Sequence, residues 1–153
     1  MAKWSEFEKA EPEFAKRVRA LFDAHRHETL ATIRKDGSPR ISGTEVEFTD
    51  DGDVRLGMMP DSLKLRDVLR DPRVAVHSGS VDPDDADPAA WPGDAKLAGT
   101  VREIDASTKS GPPGSYFSID VTEVVLTRVG TPADHLVIVS WHPGRGLVST
   151  KRV

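Results

Sequence analysis

Cysteine is absent from the sequence. Its absence excludes disulfide bonds, thiolate metal sites and a cysteine nucleophile, and it mildly favours a reducing compartment. Long apolar runs are absent too. None approaches the roughly 20 residues that a membrane-spanning helix needs, and the charged first residues contain no apolar signal segment. We therefore expect a cytoplasmic protein without a membrane partner.

Positive charge is in slight deficit, with 21 lysines and arginines against 25 aspartates and glutamates and a formal net charge of −4. Because no dense basic block offsets this balance, general nucleic-acid binding is not expected. The five histidines lack the spacing of a zinc site. The aspartates between positions 82 and 87 lack the glycine and the terminal glutamate of an EF-hand loop. We predict no metal site, and without a hydrolase, P-loop or Rossmann motif we assign no catalytic residue.

The chain of 153 residues suits a single domain with one core. In residues 1–26 the apolar side chains recur at helical spacing, which predicts an N-terminal helical segment packed on the rest of the fold. From residue 27 onward, alternating segments separated by glycine-containing turns predict six to eight mostly antiparallel strands. Such spacing favours a closed barrel, because closure removes exposed strand edges. The predicted fold class is mainly β with two or three short helices.

The second half of the chain contains a long predicted strand from Tyr116 to Val129 whose alternation slips. A bulge near Thr122 and Glu123 would explain the slip, since bulges are common where barrels bend. The segment from Leu136 to Val139 is apolar on both faces, which predicts cover on both faces, including cover by a partner chain. Residues 105–114 are predicted to form a loop.

The stretch from Asp53 to Val76 is predicted as strand, tight loop, short helix and strand. Asp61 or Ser62 can cap the helix, and three residues at helical spacing give it one apolar face: Leu65, Val68 and Leu69. Lys64 lies in the first turn, where the helix dipole favours acidic side chains. A lysine beside a hydroxyl and free amides forms an anion pocket, most often for phosphate. The alternative is a solvated lysine on an exposed turn.

Two further segments are polar where a core would be apolar. The segment from Ser42 to Glu45 interrupts a predicted strand running from Pro39 to Phe48, and its Gly43 suggests close approach by a backbone or a ligand. A bulge or an exposed edge explains Gly43 equally well. Residues 80–93 are predicted to form a long surface loop. Trp91 in this loop either anchors it to the body of the protein or lies near a ligand.

Four segments carry a resemblance to a known family: LATIRKDGSPRIS, GDVRLGMMPDSLKLRDVLRDPRVAV, GDAKLAGTVREID and VIVSWHPGRGL. In this order they resemble the pyridoxamine 5′-phosphate oxidase-like flavin and deazaflavin oxidoreductases, the split β-barrel family, over about Thr29 to Arg145. The resemblance implies that residues 1–153 form one FMN-binding split-barrel domain. It also implies a homodimer with FMN or the deazaflavin coenzyme F-420 at the interface.

The resemblance also assigns cofactor contacts by motif. By this resemblance, Ser62 and Lys64 match the positions that hold the cofactor phosphate, and Ser42 and Thr44 match those that face the phosphate and ring. Met58 and Met59 match the strand end that lines the ring. Trp141 and Arg145 match the C-terminal part that reaches the site. Pyridoxamine phosphate oxidases place a paired arginine and histidine near the C-terminus to hold substrate phosphate. The segment WHPGRG does not match that pair, which argues against pyridoxamine phosphate oxidation itself. Leu63 replaces the basic residue that often precedes the lysine in FMN-binding members, so FMN and F-420 both remain open.

The function implied is a flavin- or deazaflavin-dependent oxidoreductase that transfers hydride between FMN or F-420 and a small substrate. The protein mainly supplies position and electrostatics in such enzymes, and His77 or an ordered water would supply any proton. A non-catalytic flavin, deazaflavin or haem binding protein on the same dimeric barrel is the alternative. A structural dimer without a cofactor is the third reading.

Overall fold

The structure is a computed structural model that describes residues 1–105 and 115–153, so most of the loop predicted at 105–114 lies outside the described residues. The helices are α1 (Trp4–Ala10), α2 (Pro12–Asp23) and α3 (Leu63–Arg70), with one 3₁₀ turn at Pro88–Ala90. The strands are β1 (Glu28–Ile33), β2 (Pro39–Thr44), β3 (Val46–Phe48), β4 (Val54–Gly57), β5 (Arg73–His77), β6 (Asp94–Glu103), β7 (Tyr116–Val129), β8 (Leu136–His142) and β9 (Gly146–Arg152).

All strand pairs of the described chain are antiparallel and follow the order β2-β1-β5-β6-β7-β4-β3, with β8 on β7 and β9 on β8. Only Glu45 separates β2 from β3, so the chain itself joins the two ends of this path and wraps the strands into a barrel. The prediction of a mainly β, mostly antiparallel fold is confirmed. Nine strands are described because the expected strand from Pro39 to Phe48 divides at Glu45, with β2 on β1 and β3 on β4.

The irregularity predicted in the long strand β7 is confirmed. Ala98 on β6 pairs with Glu123 and the next residue, Gly99, pairs with Val121, so Thr122 is the extra residue of a bulge. A Cβ atom on Gly99 would lie 2.2 Å from the carbonyl oxygen of Asp120, so the backbones approach closely here. The bulge bends β7 and carries the sheet around the barrel.

One apolar core unites the barrel with the N-terminal helices. Trp4 and Phe7 on α1 are fully buried in it, and the Trp4 ring lies 4.9 Å from Phe7 and 4.8 Å from Phe48 on β3. Edge-to-face aromatic pairs of this kind stabilise the folded chain by more than the burial of their apolar area alone would. The segment formed by α1 and α2 therefore packs on the barrel. No described helix is long and apolar enough to cross a membrane.

The hairpin β8–β9 pairs with the second half of β7, off the path of strands that forms the barrel. Trp141 is buried against Phe7, with their ring centroids 4.8 Å apart, whereas β9 is exposed over most of its length. The segment from Leu136 to Val139 is only partly covered within one chain, so its cover by a partner stays a prediction. In the loop of residues 80–93, the Trp91 indole N–H donates to the carbonyl of Val81 at 2.7 Å, which ties the loop to itself.

Candidate functional site

The first element of the site is the start of α3. Ser62 is the N-cap, and its Oγ accepts from the N–H of Leu65 at 3.3 Å, as predicted. Asp61 before it has a φ of 62°, a left-handed conformation that aspartate tolerates better than most residues. Lys64 lies in the first turn of this helix, and its side chain reaches β2.

Lys64 is the charged centre of the site. Its Nζ donates to the carbonyl of Gly43 on β2 at 2.9 Å, and burial lowers the pKa of its ammonium group. No carboxylate of the described residues lies within ion-pair distance of it, so its charge is free to meet an anion. Gly43 is approached by this side chain, but a Cβ atom there would meet nothing within 4 Å. The glycine therefore marks an exposed edge that the lysine reaches.

A cleft of ≈ 430 Å³ opens beside Lys64 at the corner between β2 and β3. Thr44, on the cleft wall, and Met59, which is 76% exposed, face it together with Lys64. Three of the residues predicted to contact a cofactor thus meet in one cleft. Ser62 lies next to them as the cap of the same helix turn.

The other predicted residues lie away from this cleft in a single chain. Ser42 is half-buried opposite Leu30 on β1, and Met58 points into the core. Trp141 is buried in the core, and Arg145 is exposed in the turn between β8 and β9. Their roles toward a cofactor stay predictions. His77, the predicted proton source, lies on β5 outside the cleft, with its Nε2 3.5 Å from Asp94.

A buried carboxylate that the sequence did not reveal holds α3 in place. Asp67 is 3% exposed and accepts from the Thr32 hydroxyl and from Arg40 Nε, both at 2.7 Å, and from Arg70 at 3.1 Å. Burial raises the pKa of Asp67, but these hydrogen bonds together lower it by more, so the pKa lies below its usual value. By fixing α3 to β1 and β2, Asp67 sets where Lys64 lies.

The apolar face predicted for α3 is correct for Leu65 and Val68 and wrong for Leu69. Leu69 is 64% exposed, because Asp67 takes the third buried position on the helix. The sequence carries no local signal of this exchange, since Thr32 and Arg40 lie 35 and 27 residues away along the chain.

A second unpredicted carboxyl lies behind the cleft wall. Glu28 begins β1 and is 5% exposed, and it pairs across the strands with Thr44, which is equally buried. Burial raises the pKa of Glu28 to about 7, against a hydrogen bond from Val46 that lowers it, and the neighbouring charge of Glu45 raises it further. Glu28 Oε2 and Thr44 Oγ1 have no hydrogen-bond partner among the described residues.

This raised pKa predicts how stability depends on pH. Between the ordinary value of 4.5 and about 7 the folded chain binds more protons at Glu28 than the unfolded chain, so the free energy of unfolding falls as pH rises through that window. Glu28→Gln should remove this fall, making the variant more stable than the wild type at about pH 8 but not at about pH 5. Urea unfolding at both pH values measures this. Equal pH dependence of the two proteins would contradict it.

Within residues 1–105 and 115–153, no group of three or more histidine, aspartate or glutamate side chains is placed to hold a metal ion. The site therefore consists of a half-buried cation, a capped helix start and buried hydroxyl and carboxyl groups around one cleft. Such an arrangement suits an anionic ligand with a flat apolar part better than it suits side-chain catalysis.

A profile of the family described as pyridoxamine 5′-phosphate oxidase matches residues 14–119, more than half of the chain. The chain belongs to the pyridoxamine 5′-phosphate oxidase family. The match spans β1 to β6, the start of β7, the helix α3 and the residues that line the cleft, and it confirms the resemblance and the split-barrel fold. A comparison with curated proteins finds no match.

Solved structures show the same barrel at low sequence identity. PhzG from Burkholderia lata 383, in complex with tetrahydrophenazine-1-carboxylic acid, has a TM-score of 0.68 at 13% identity, covering 93% of this chain and 92% of that one. A pyridoxamine 5′-phosphate oxidase-related, FMN binding protein from Nostoc punctiforme PCC 73102 has a TM-score of 0.59 at 14% identity, covering 100% and 98%. A heme binding protein from Mycobacterium smegmatis has a TM-score of 0.57 at 16% identity, covering 89% and 86%. At these low sequence identities, the similarity shows only that this chain and these proteins share a fold.

Proposed function

We propose that the chain is a flavin- or deazaflavin-dependent oxidoreductase that holds FMN or F-420 in the cleft beside Lys64 and transfers hydride between it and a small substrate. The observation that carries the proposal is the ammonium group of Lys64, half-buried in the cleft and free of any carboxylate partner among the described residues. Family membership supports it, since the Nostoc relative is described as FMN binding.

The residues present fit such a cofactor. Lys64 and the start of α3 supply a cation and free N–H groups for a phosphate, and the buried Thr44 hydroxyl offers an unused hydrogen bond. The exposed thioether of Met59 offers an apolar surface for a ring. The volume of ≈ 430 Å³ lies within the usual range of cofactor sites, roughly 300–1,000 Å³. A bound cofactor would supply the redox chemistry, while these residues bind it, orient it and limit its contact with water.

We also propose that a second copy of the chain completes the site. Exposed apolar side chains lie on the elements that border the cleft, namely Ile41 on β2, Met59 before α3 and Leu63 at its start. A homodimer would cover such side chains, since large exposed apolar patches commonly mark interfaces. Sedimentation should give twice the mass of one chain, and a monomer at micromolar concentration would contradict the proposal.

Titration of the apo-protein with FMN and with F-420, followed by fluorescence, tests the proposed function. Tight binding of FMN would support a flavin enzyme and direct the search toward oxygen or NAD(P)H as redox partner. Binding of F-420 alone would support a deazaflavin reductase, to be assayed against small oxidised substrates. Binding of neither would overturn the proposed chemistry and leave the family assignment unchanged.

A carrier or sensor without turnover is the second candidate. It is favoured by His27, an exposed imidazole in the same cleft that could ligate a haem iron, and by the relative described as heme binding. Haem titration should then give a shifted Soret band in the wild type that His27→Ala abolishes. Steady-state turnover of a substrate with bound FMN or F-420 would count against this candidate.

A further inference from the structure

Two buried polar atoms without partners belong to residues that pair directly across β1 and β2, beside the cleft. Glu28 Oε2 and Thr44 Oγ1 are the side-chain atoms that lack a hydrogen bond among the buried groups of the described residues. Glu28 and Thr44 are direct partners across β1 and β2, so their side chains stand on the same face, with Cβ atoms roughly 5 Å apart. A buried polar atom without a partner destabilises the fold, and a change of side-chain rotamer would let these two atoms pair.

The charges around Glu28 favour its neutral form. Burial raises the pKa of Glu28 most, and Glu45, in the corner between β2 and β3, and Asp23, at the end of α2, raise it further. Among the described residues, the Val46 hydrogen bond opposes them. Arg26 is 3.0 Å from Glu45 and His27 is 3.5 Å from it, so these cations are directed to Glu45. With burial, these neighbours keep Glu28 largely protonated below about pH 7.

We propose that Glu28 is a positioning residue for the anion site: its protonated carboxyl donates to Thr44 Oγ1 and thereby directs the Thr44 hydroxyl proton toward an anion held by Lys64. A hydroxyl has one proton to give and two lone pairs that accept. When Glu28 donates to Thr44, the proton of Thr44 is left for the cleft that Thr44 lines.

Loss of the Glu28 proton reverses this arrangement. The Thr44 hydroxyl is then drawn to the carboxylate, and a negative charge stands behind the cleft wall. Both changes weaken the binding of an anion beside Lys64. Anion affinity should therefore fall as Glu28 ionises, and this dependence should vanish when residue 28 can no longer ionise. The inference deepens the proposed function and rests on its placement of the anion, but not on the identity of the cofactor.

Sulfate is the appropriate test ligand, because it stays a dianion over the range in which Glu28 titrates. Its affinity is measured on the whole chain by NMR shifts of the Thr44 and Lys64 amides at about pH 6 and about pH 8. The wild type should lose roughly tenfold in affinity between them. Glu28→Gln, whose amide can always donate to Thr44, should keep the higher affinity at both. Thr44→Val should bind weakly at both, and Thr44→Ser should restore the wild-type pattern.

Controls separate the roles of the groups. The same change of pH acts on the other groups of the cleft in every variant, so the difference between the wild type and Glu28→Gln isolates Glu28. Glu103→Gln, an exposed glutamate outside the cleft, should behave as the wild type. The same pH dependence in the wild type and Glu28→Gln, or equal affinity in Thr44→Val, would overturn the inference. Sulfate results as expected with no binding of FMN or F-420 would support the inference while overturning the proposed cofactor chemistry.

Discussion

Replacing Asp67 by alanine should lower the free energy of unfolding by about 3–5 kcal/mol. The carboxylate is buried and joins α3 to β1 and β2 through Thr32 and Arg40, so its removal leaves the mostly buried guanidinium of Arg40 without a counter-charge. Urea unfolding at neutral pH measures the loss. Asp23→Ala is the matched control, since Asp23 pairs with Arg19 on the exposed face of α2 at 3.4 Å. Such a pair contributes no more than ~0.5 kcal/mol.

Acid should expose the same interaction in the wild type. The pKa of Asp67 is lowered from 3.8, so its contribution is present above that value and is lost as pH falls below it. Asp67→Asn keeps the shape of the side chain but cannot titrate, and its stability should change less than that of the wild type on acidification from about pH 5.

For the alanine variant, a loss of unfolding free energy below about 1 kcal/mol would contradict the first prediction and mean that Arg40 finds water or another partner.

Lys64→Ala should weaken binding of the cofactor that the apo-protein takes up by roughly 10- to 100-fold, since a charge-assisted contact to a phosphate contributes ~1.5–3 kcal/mol. The ratio of dissociation constants in the fluorescence titration measures this. Lys64→Arg should retain most of the affinity because it keeps the charge. Arg66→Ala removes an exposed cation from the same helix outside the cleft and should have little effect.

The stability of Lys64→Ala separates binding from folding. Among the described residues, the side chain of Lys64 donates only to the carbonyl of Gly43, so the free energy of unfolding should fall far less than in Asp67→Ala. Unchanged cofactor affinity in a folded Lys64→Ala would contradict the assignment of the phosphate to this lysine. Weak binding combined with large destabilisation would instead mean that the lysine positions α3.

Local patterns were sufficient to predict most of the barrel. Alternation, glycine turns and the slip at Thr122 depend on neighbours along the chain, and the structure has each of them. The division at Glu45 was missed because the polar segment before it is equally compatible with a bulge or an exposed edge in one continuous strand, whereas the change of pairing partner from β1 to β4 is a property of the closed sheet.

The site divides in the same way. The cap at Ser62 and the lysine after it follow from the first turn of one helix, and both are where the sequence predicts them. Asp67 and Glu28 were missed because an acidic residue normally indicates exposure, and only partners far along the chain bury these two. Trp141 was assigned to the cofactor by resemblance, whereas within one chain it packs on Phe7 of α1.

The corner at Glu45 also sets an order for folding. Because β2 pairs with β1 and β3 with β4, the chain on each side of Glu45 forms its own hairpin, and such hairpins form within roughly microseconds. The pairing of β4 with β7, which brings Leu56 to Phe117, closes a much longer stretch of chain and is expected to come later. Tyr116 of β7 also lines the cleft where these hairpins meet, so the cleft is complete only after this long-range pairing has formed.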